Sequence, residues 1–108
     1  MEYSTYKTIW SPSAKDDLNN IFYHVLHVFK NTQLAKKIKY EIFNSVNSLR
    51  FFPYRNPILF LTNHQNDVPI RKFKFKNYII IYSIDSSKSA IYILRLFHKS
   101  QDYFHLLY

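Results

Sequence analysis

Apolar residues recur at steps of three and four over two stretches in the first half of the chain, which is the spacing of amphipathic helices. In the first stretch these positions are Ala14, Leu18, Ile21, Phe22, Val25, Leu26 and Phe29. In the second they are Leu34, Ala35, Ile38, Ile42, Val46 and Leu49. Ser11-Pro12 is a typical helix start, and Thr32 can cap a second helix. We therefore predict helices over about residues 12–30 and 32–50.

From Val68 onward the pattern changes to runs of β-branched and aromatic residues, which favour strands. Three such runs cover 68–75, 78–85 and 90–97, and polar residues at 85–89 predict a hairpin turn between the last two. The run 78–85 is almost continuously apolar, as expected of a central strand covered on both faces. A shorter run at residues 5–10 predicts an opening strand before the first helix.

The connections between these elements predict how they pack. Because Asn31-Thr32 leaves so short a link between the helices, we expect them to form an antiparallel hairpin whose apolar side faces the sheet. The stretch from Pro53 to Asn66 is punctuated by turn-forming residues and is predicted as a connection. The element order is then β-α-α-β-β-β, which is an α+β fold with a mainly antiparallel sheet. At 108 residues we expect one domain, 1–108.

Composition narrows the classes of function. Lys and Arg outnumber Asp and Glu by 15 to 7, a formal charge of +8, which favours nucleic acid, an acidic protein or an anionic membrane as partner. The absence of Cys excludes disulfides and thiolate metal sites, and the absence of Gly excludes a glycine-rich phosphate loop. His24 and His27 lack the further ligands of a metal motif, so we predict no metal and no cofactor. With no signal-like or membrane-spanning stretch, a cytoplasmic protein with no membrane partner is the expectation.

A basic run precedes the central strand. In a strand, Lys72, Lys74 and Lys76 would lie on one face at about 7 Å spacing, which would suit contact with a phosphate backbone. The alternative is an edge strand that its lysines protect from aggregation, which is a common arrangement. The pattern alone favours this alternative.

A second polar cluster follows the last strand and consists of Arg95, His98, Lys99, Gln101, Asp102 and Tyr103. Cleavage of RNA without a metal needs a base for the 2′-hydroxyl, a cation for the charged phosphorane and an acid for the leaving 5′-oxygen. His98, Arg71 and Tyr103 are candidates for these roles. Further cations within reach are Lys74, Lys76 and Lys99.

Several short motifs, in the right order over nearly the whole chain, resemble one family. In the helical half they are Trp10-Ser11-Pro12-Ser13-Ala14, Asp17-Leu18, Ile21, Ala35 and Leu49-Arg50-Phe51-Phe52-Pro53. In the second half they are Arg71, Asn77-Tyr78-Ile79-Ile80-Ile81-Tyr82, Ile93-Leu94-Arg95-Leu96-Phe97-His98 and Gln101-Asp102-Tyr103. Together these motifs resemble the RelE/ParE superfamily of toxins from bacterial type II toxin–antitoxin systems.

The resemblance implies a helical hairpin packed on a curved antiparallel sheet. It also implies a cognate antitoxin as partner, an acidic and partly disordered protein that folds on the toxin surface. Contact with operator DNA would come only through that antitoxin. Binding of an acidic antitoxin would then explain the formal charge of +8.

The family divides into two target classes. RelE-like members cut mRNA in the ribosomal A site without a metal, whereas ParE-like members inhibit DNA gyrase by binding. Arg71 and Tyr103 match the RelE-like pattern, whereas Ile79 and Lys99 stand where many members have Arg. The resemblance favours the ribosome-dependent mRNA endonuclease, with gyrase inhibition as runner-up and an inactive homologue that only binds its antitoxin as a third possibility. The implied catalytic residues are Arg71, His98 and Tyr103, and the implied RNA or phosphate contacts are Lys72, Lys74, Lys76, Arg95 and Lys99.

Overall fold

A computed structural model of the chain describes residues 5–61 and 68–101. Two helices and five strands follow one another in these ranges. In chain order they are β1 (Lys7–Trp10), α1 (Pro12–Phe29), α2 (Thr32–Asn47), β2 (Ile58–Leu61), β3 (Pro69–Phe75), β4 (Tyr78–Asp85) and β5 (Ala90–His98). Two single-turn 3-10 helices, Ser48–Arg50 and Pro53–Arg55, join α2 to β2. No helix in these two ranges is both long and apolar enough to span a membrane.

The five strands form one mixed sheet in the order β1-β5-β4-β3-β2. Three of the four strand pairs are antiparallel, and β1 runs parallel to β5. The strand β4 is central and is buried along most of its length. The predicted α+β class and the predicted central strand, covered on both faces, are therefore confirmed.

The ends of the helices follow local rules. The Ser11 hydroxyl accepts a hydrogen bond from the backbone N–H of Ala14 at 3.0 Å, which confirms the predicted cap of α1. Helix α1 ends at Phe29, and its C-cap, Lys30, has a φ of 51° in the left-handed region that favours glycine. The cap of α2 is Asn31 rather than Thr32, because its side-chain oxygen accepts from the N–H of Leu34 at 3.0 Å. The prediction was one residue late.

The main core lies between the helical hairpin and one face of the sheet. It contains Ala14 and Leu18 from α1, Ile42 and Val46 from α2, and Ile80, Tyr82, Ile91, Ile93 and Leu96 from the two central strands. A second, smaller cluster of Ile70, Ile79, Ile81 and Phe97 lies on the other face. Burial of apolar area on this scale is the main stabilising term for a domain of this size.

One strand was not predicted. Ile58–Leu61 pairs antiparallel with β3, within the stretch that the turn-forming residues had marked as a connection. The run is only four residues long, and the register shifts between Ile58 and Phe60. A short edge strand with an irregular register gives a weak alternation signal, so its pattern could not outweigh the prolines around it. The element order is thus β-α-α-β-β-β-β.

Candidate functional site

A cleft of about 530 Å³ lies between α1 and the end of β5. It is lined by side chains of α1, by Tyr78 at the start of β4 and by the turn that follows β5. Its polar lining includes Asp17, Asn20, His24, Arg95, His98, Ser100 and Gln101. The cleft therefore brings together Arg95, His98 and Gln101 of the polar cluster that the sequence analysis identified.

One wall of the cleft is formed where α1 contacts the part of β5 that extends beyond the end of β1. Since β1 ends at Trp10, opposite Ile93, none of the described strands pairs with the rest of β5 on that side. Side chains of α1 and its cap take over: the Ser11 hydroxyl donates to the carbonyl of Leu94 at 2.9 Å, and Asp17 accepts from the N–H of Leu96 at 2.9 Å. The exposed edge of β5 is thereby satisfied and attached to α1.

Asp17 also binds Arg95 through two parallel hydrogen bonds. Nε of Arg95 lies 2.8 Å from Oδ2, and an Nη atom lies 3.1 Å from Oδ1. This hydrogen bonding raises the pKa of Arg95 further above its usual value, and the guanidinium also lies over the ring of Phe97 at 5.0 Å. Arg95, predicted as a phosphate contact, is thus paired with a carboxylate of the protein itself.

The imidazole of His98 has a defined hydrogen-bonding state. Its Nδ1 accepts from the backbone N–H of Ser100 at 3.1 Å and lies 2.7 Å from the Ser100 hydroxyl. Because a backbone N–H can only donate, Nδ1 carries no proton and the neutral ring is protonated at Nε2. In this tautomer Nε2 carries the hydrogen and is a hydrogen-bond donor.

The turn after β5 is held by backbone and side-chain bonds. The N–H of Lys99 donates to the carbonyl of Asn77 at 2.7 Å, and Gln101 exchanges two hydrogen bonds of 2.9 Å with the backbone of His98. Lys99, a predicted phosphate contact, is exposed beside the cleft. Tyr103, the third predicted catalytic residue, lies outside the described residues.

Arg71 lies in β3 and contacts the segment that leads into β2. Its Nη1 donates to the carbonyls of Asn56 at 2.6 Å and Tyr54 at 3.2 Å, and its guanidinium lies 5.2 Å from the centre of the Tyr54 ring. Its cross-strand partner, Tyr82, donates to the carbonyl of Pro53 at 2.6 Å and accepts from the Asn56 amide at 3.2 Å. Burial raises the pKa of Tyr82, so the hydroxyl stays protonated and donating.

The predicted row of three lysines is wrong in one member. Lys72 and Lys74 pair with Ile81 and Ile79 and share the sheet face that carries the smaller cluster. The strand ends at Phe75, so Lys76 lies in the two-residue turn to β4 with φ at 52°. There its ammonium lies 2.8 Å from Glu41 of α2. The alternation of Lys and Phe continues past the end of the strand. Lys76 therefore lies in the turn and contacts α2 instead of sharing a face with Lys72 and Lys74.

Arg71 and His98 are far apart on the sheet. Arg71 precedes Phe75 by four residues, Phe75 pairs with Tyr78, and Tyr78 pairs with His98. Strand rise and strand spacing then put the two α-carbons about 16 Å apart. The described residues therefore form two regions rather than one catalytic cluster.

Three residues that organise these regions were not predicted: Asp17, Asn56 and Tyr82. In the sequence Asp17 stands out only as part of the Asp17-Leu18 motif, although its position three residues after Ala14 and four before Ile21 puts it at the border of the buried stripe. That border position was a usable signal. Tyr82 was placed on the sheet as an aromatic, but nothing local indicates a partner 29 residues away.

Within the described ranges, no group of three potential metal ligands comes together.

Comparison with known proteins gives one family and several related folds. The model of the family described as the ParE toxin of the type II toxin–antitoxin system, parDE, matches residues 8–103. No curated protein sequence matches the chain.

Among solved structures, the chromosomal ParDE toxin–antitoxin system from P. aeruginosa is similar with a TM-score of 0.68 at 16% identity, covering 90% of this chain and 98% of the other. The toxin–antitoxin complex RelBE2 from Mycobacterium tuberculosis is similar with a TM-score of 0.58 at 17% identity, covering 87% and 98%. At these identities the structural likeness establishes the fold alone.

Proposed function

The chain belongs to the ParE toxin family of type II toxin–antitoxin systems, and from that membership we propose that it arrests growth by binding DNA gyrase rather than by cutting RNA. The membership makes it the toxin component of such a system. The choice between binding and cutting is our proposal, and it reverses the preference that the sequence motifs gave.

The observation behind this proposal is the state of the two arginines expected to contact phosphate. Arg95 is paired with Asp17 through two hydrogen bonds, and Arg71 donates to two backbone carbonyls. A phosphorane would have to compete with a carboxylate at the first and displace a main-chain contact at the second. Neither guanidinium is free to stabilise the charged phosphorane, because each is already bonded within the protein. Both arginines stabilise the fold, and a protein that inhibits its target by binding needs no catalytic cation.

A toxin of this type is paired with an antitoxin. We propose that this antitoxin is acidic, because the toxin carries a formal charge of +8, and that it alone brings the toxin to operator DNA. We further propose that the exposed side of the helical hairpin takes part in target binding. Lys36 is the basic residue to test there, since Lys39 is already bonded to Asn19 at 3.0 Å.

Ribosome-dependent cleavage of mRNA is the second candidate, and it is supported by His98. In the tautomer described above, its Nε2–H can donate a hydrogen bond to a phosphate oxygen, and the exposed Lys99 next to it supplies a cation for the charged phosphorane. Under this alternative Tyr103 would supply a further group.

Induction of the toxin in bacterial cells separates the two candidates. With binding to gyrase, pulse labelling shows DNA synthesis falling before protein synthesis, and mapped mRNA 5′ ends do not change. Growth arrest also survives His98→Gln and Tyr103→Phe, because neither group does chemistry. Cuts phased to ribosomes, abolished by the same two substitutions, would instead establish the endonuclease. No arrest from a folded protein would indicate an inactive homologue.

A further inference from the structure

The segment between α2 and β2 presents large aromatic rings and guanidinium groups to solvent. Phe51, Phe52 and Tyr54 are 49%, 60% and 52% exposed, and Arg50 and Arg55 are exposed beside them. We call these five residues the arginine–aromatic surface. Single exposed apolar residues are common, but three rings within four positions form a patch of the kind found at binding sites.

Much of this surface is held in position. The Arg50 guanidinium lies 5.0 Å from the centre of the Phe51 ring, and that of Arg71 lies 5.2 Å from the Tyr54 ring. The Tyr6 ring contacts Tyr54 edge-on with centroids 6.4 Å apart. The main chain beneath is fixed by the bond from the Tyr82 hydroxyl to the carbonyl of Pro53. A ligand would therefore meet side chains at Arg50, Phe51 and Tyr54 that have already lost part of their conformational entropy.

The charge of the surface is not balanced within its own segment. Between Glu41 and Asp67 the sequence contains no Asp or Glu, while it contains Arg50 and Arg55. Arg71 adds a third guanidinium, and its hydrogen bonds there go to neutral carbonyls. An anionic ligand would be attracted to this surface.

We propose that the arginine–aromatic surface binds single-stranded nucleic acid, an activity beyond the gyrase inhibition proposed above. Along Arg50 to Arg55 two cations flank three rings, so the segment offers stacking surfaces for bases between charges for phosphates. Proteins that bind single strands combine aromatic stacking platforms with a positive track for the backbone, and guanidinium planes stack on bases as well. Duplexes bury the faces of their bases, so the rings select single strands. The surface is separate from the cleft, and none of its five residues was predicted to be catalytic, although Arg71 lies over the Tyr54 ring.

Fluorescence anisotropy with labelled single strands of about ten nucleotides tests the proposal, one DNA and one RNA, beside a duplex of equal length. The variant is Phe51→Ala/Phe52→Ala, which leaves the Arg71–Tyr54 contact in place. Its control is Val28→Ala/Phe29→Ala, also two adjacent residues, with exposures of 52% and 61% against 49% and 60%. Circular dichroism and thermal unfolding confirm that both variants fold.

We expect the wild-type protein to bind the single strands more tightly than the duplex. Loss of two stacking rings should weaken that binding by roughly tenfold or more, and the control should stay within about twofold of wild type. The ratio of DNA to RNA affinity then identifies which strand is preferred. Equal binding by the two variants would mean general charge attraction and would overturn the proposal. So would unchanged strand binding accompanied by loss of gyrase inhibition, which would make this a protein-docking surface.

Discussion

Arg95 and Arg71 occupy two regions of the same sheet and are held in chemically different ways. Arg95 is paired with the Asp17 carboxylate, so its charge is neutralised where it stands. Arg71 is held by the carbonyls of Tyr54 and Asn56, which are dipoles and leave its charge in place. Both arginines stabilise the fold, but only the second adds to the positive potential of its neighbourhood. A count of basic residues in the sequence cannot make that distinction.

Of the substitutions in these two regions, Asp17→Ala should lower the stability of the protein most. The substitution removes two hydrogen bonds to Arg95 and one to the N–H of Leu96, and it leaves a half-buried guanidinium without its partner. We expect a loss of about 2–3 kcal/mol in the free energy of unfolding, measured by urea denaturation. Asp16→Ala is the matched control, since Asp16 is exposed, and it should cost less than about 0.5 kcal/mol. Equal losses would show that the carboxylate does not attach α1 to β5.

An intermediate effect should follow Tyr82→Phe in the other region. The change removes the hydroxyl that donates to Pro53 and accepts from Asn56, leaving a buried carbonyl unpaired. We expect a loss of about 1–2 kcal/mol, with faster amide hydrogen exchange at residues 54–56 while the turn after β5 is unaffected. Tyr23→Phe, at an exposed tyrosine, should change neither quantity. If exchange accelerated equally in both regions, they would not be independent.

The smallest effect concerns the exposed pair of Lys76 and Glu41. Hydrogen bonding from Lys76 lowers the pKa of Glu41 in the folded protein. The pair therefore stabilises the fold above the usual pKa of a glutamate, and this contribution is lost as pH falls through the lowered folded-state value. Denaturation of wild type and Glu41→Gln over acidic pH should show a small loss in wild type that the variant lacks. Identical pH dependence in the two proteins would show that this ion pair does not contribute to the free energy of unfolding.

Sequence patterns predicted the frame of the fold because that frame rests on local rules. The apolar stripes of both helices, the Ser11 cap and the buried strand 78–85 each follow from spacing within one element. The missing strand Ile58–Leu61 shows the limit, since its assignment depends on pairing with β3 rather than on its own four residues.

The candidate site was less predictable because its contacts span long separations. Arg95 lies 78 residues from Asp17, and Arg71 lies 15 residues from Asn56, so no local pattern reveals either partner. The sequence identifies Arg71 and Arg95 as cations on the sheet. The groups that they bind are determined by the fold. Lys76 was misassigned for a related reason, since alternation continued beyond the end of its strand.

The proposed binding of this toxin to gyrase can be tested in a supercoiling assay. Purified toxin is titrated into gyrase with relaxed plasmid, in parallel with programmed ribosomes whose mRNA is analysed for cuts. We predict loss of supercoiling, intact mRNA and equal inhibition by wild type and Tyr103→Phe. Undiminished supercoiling together with cleavage of the ribosome-bound message would contradict the claim.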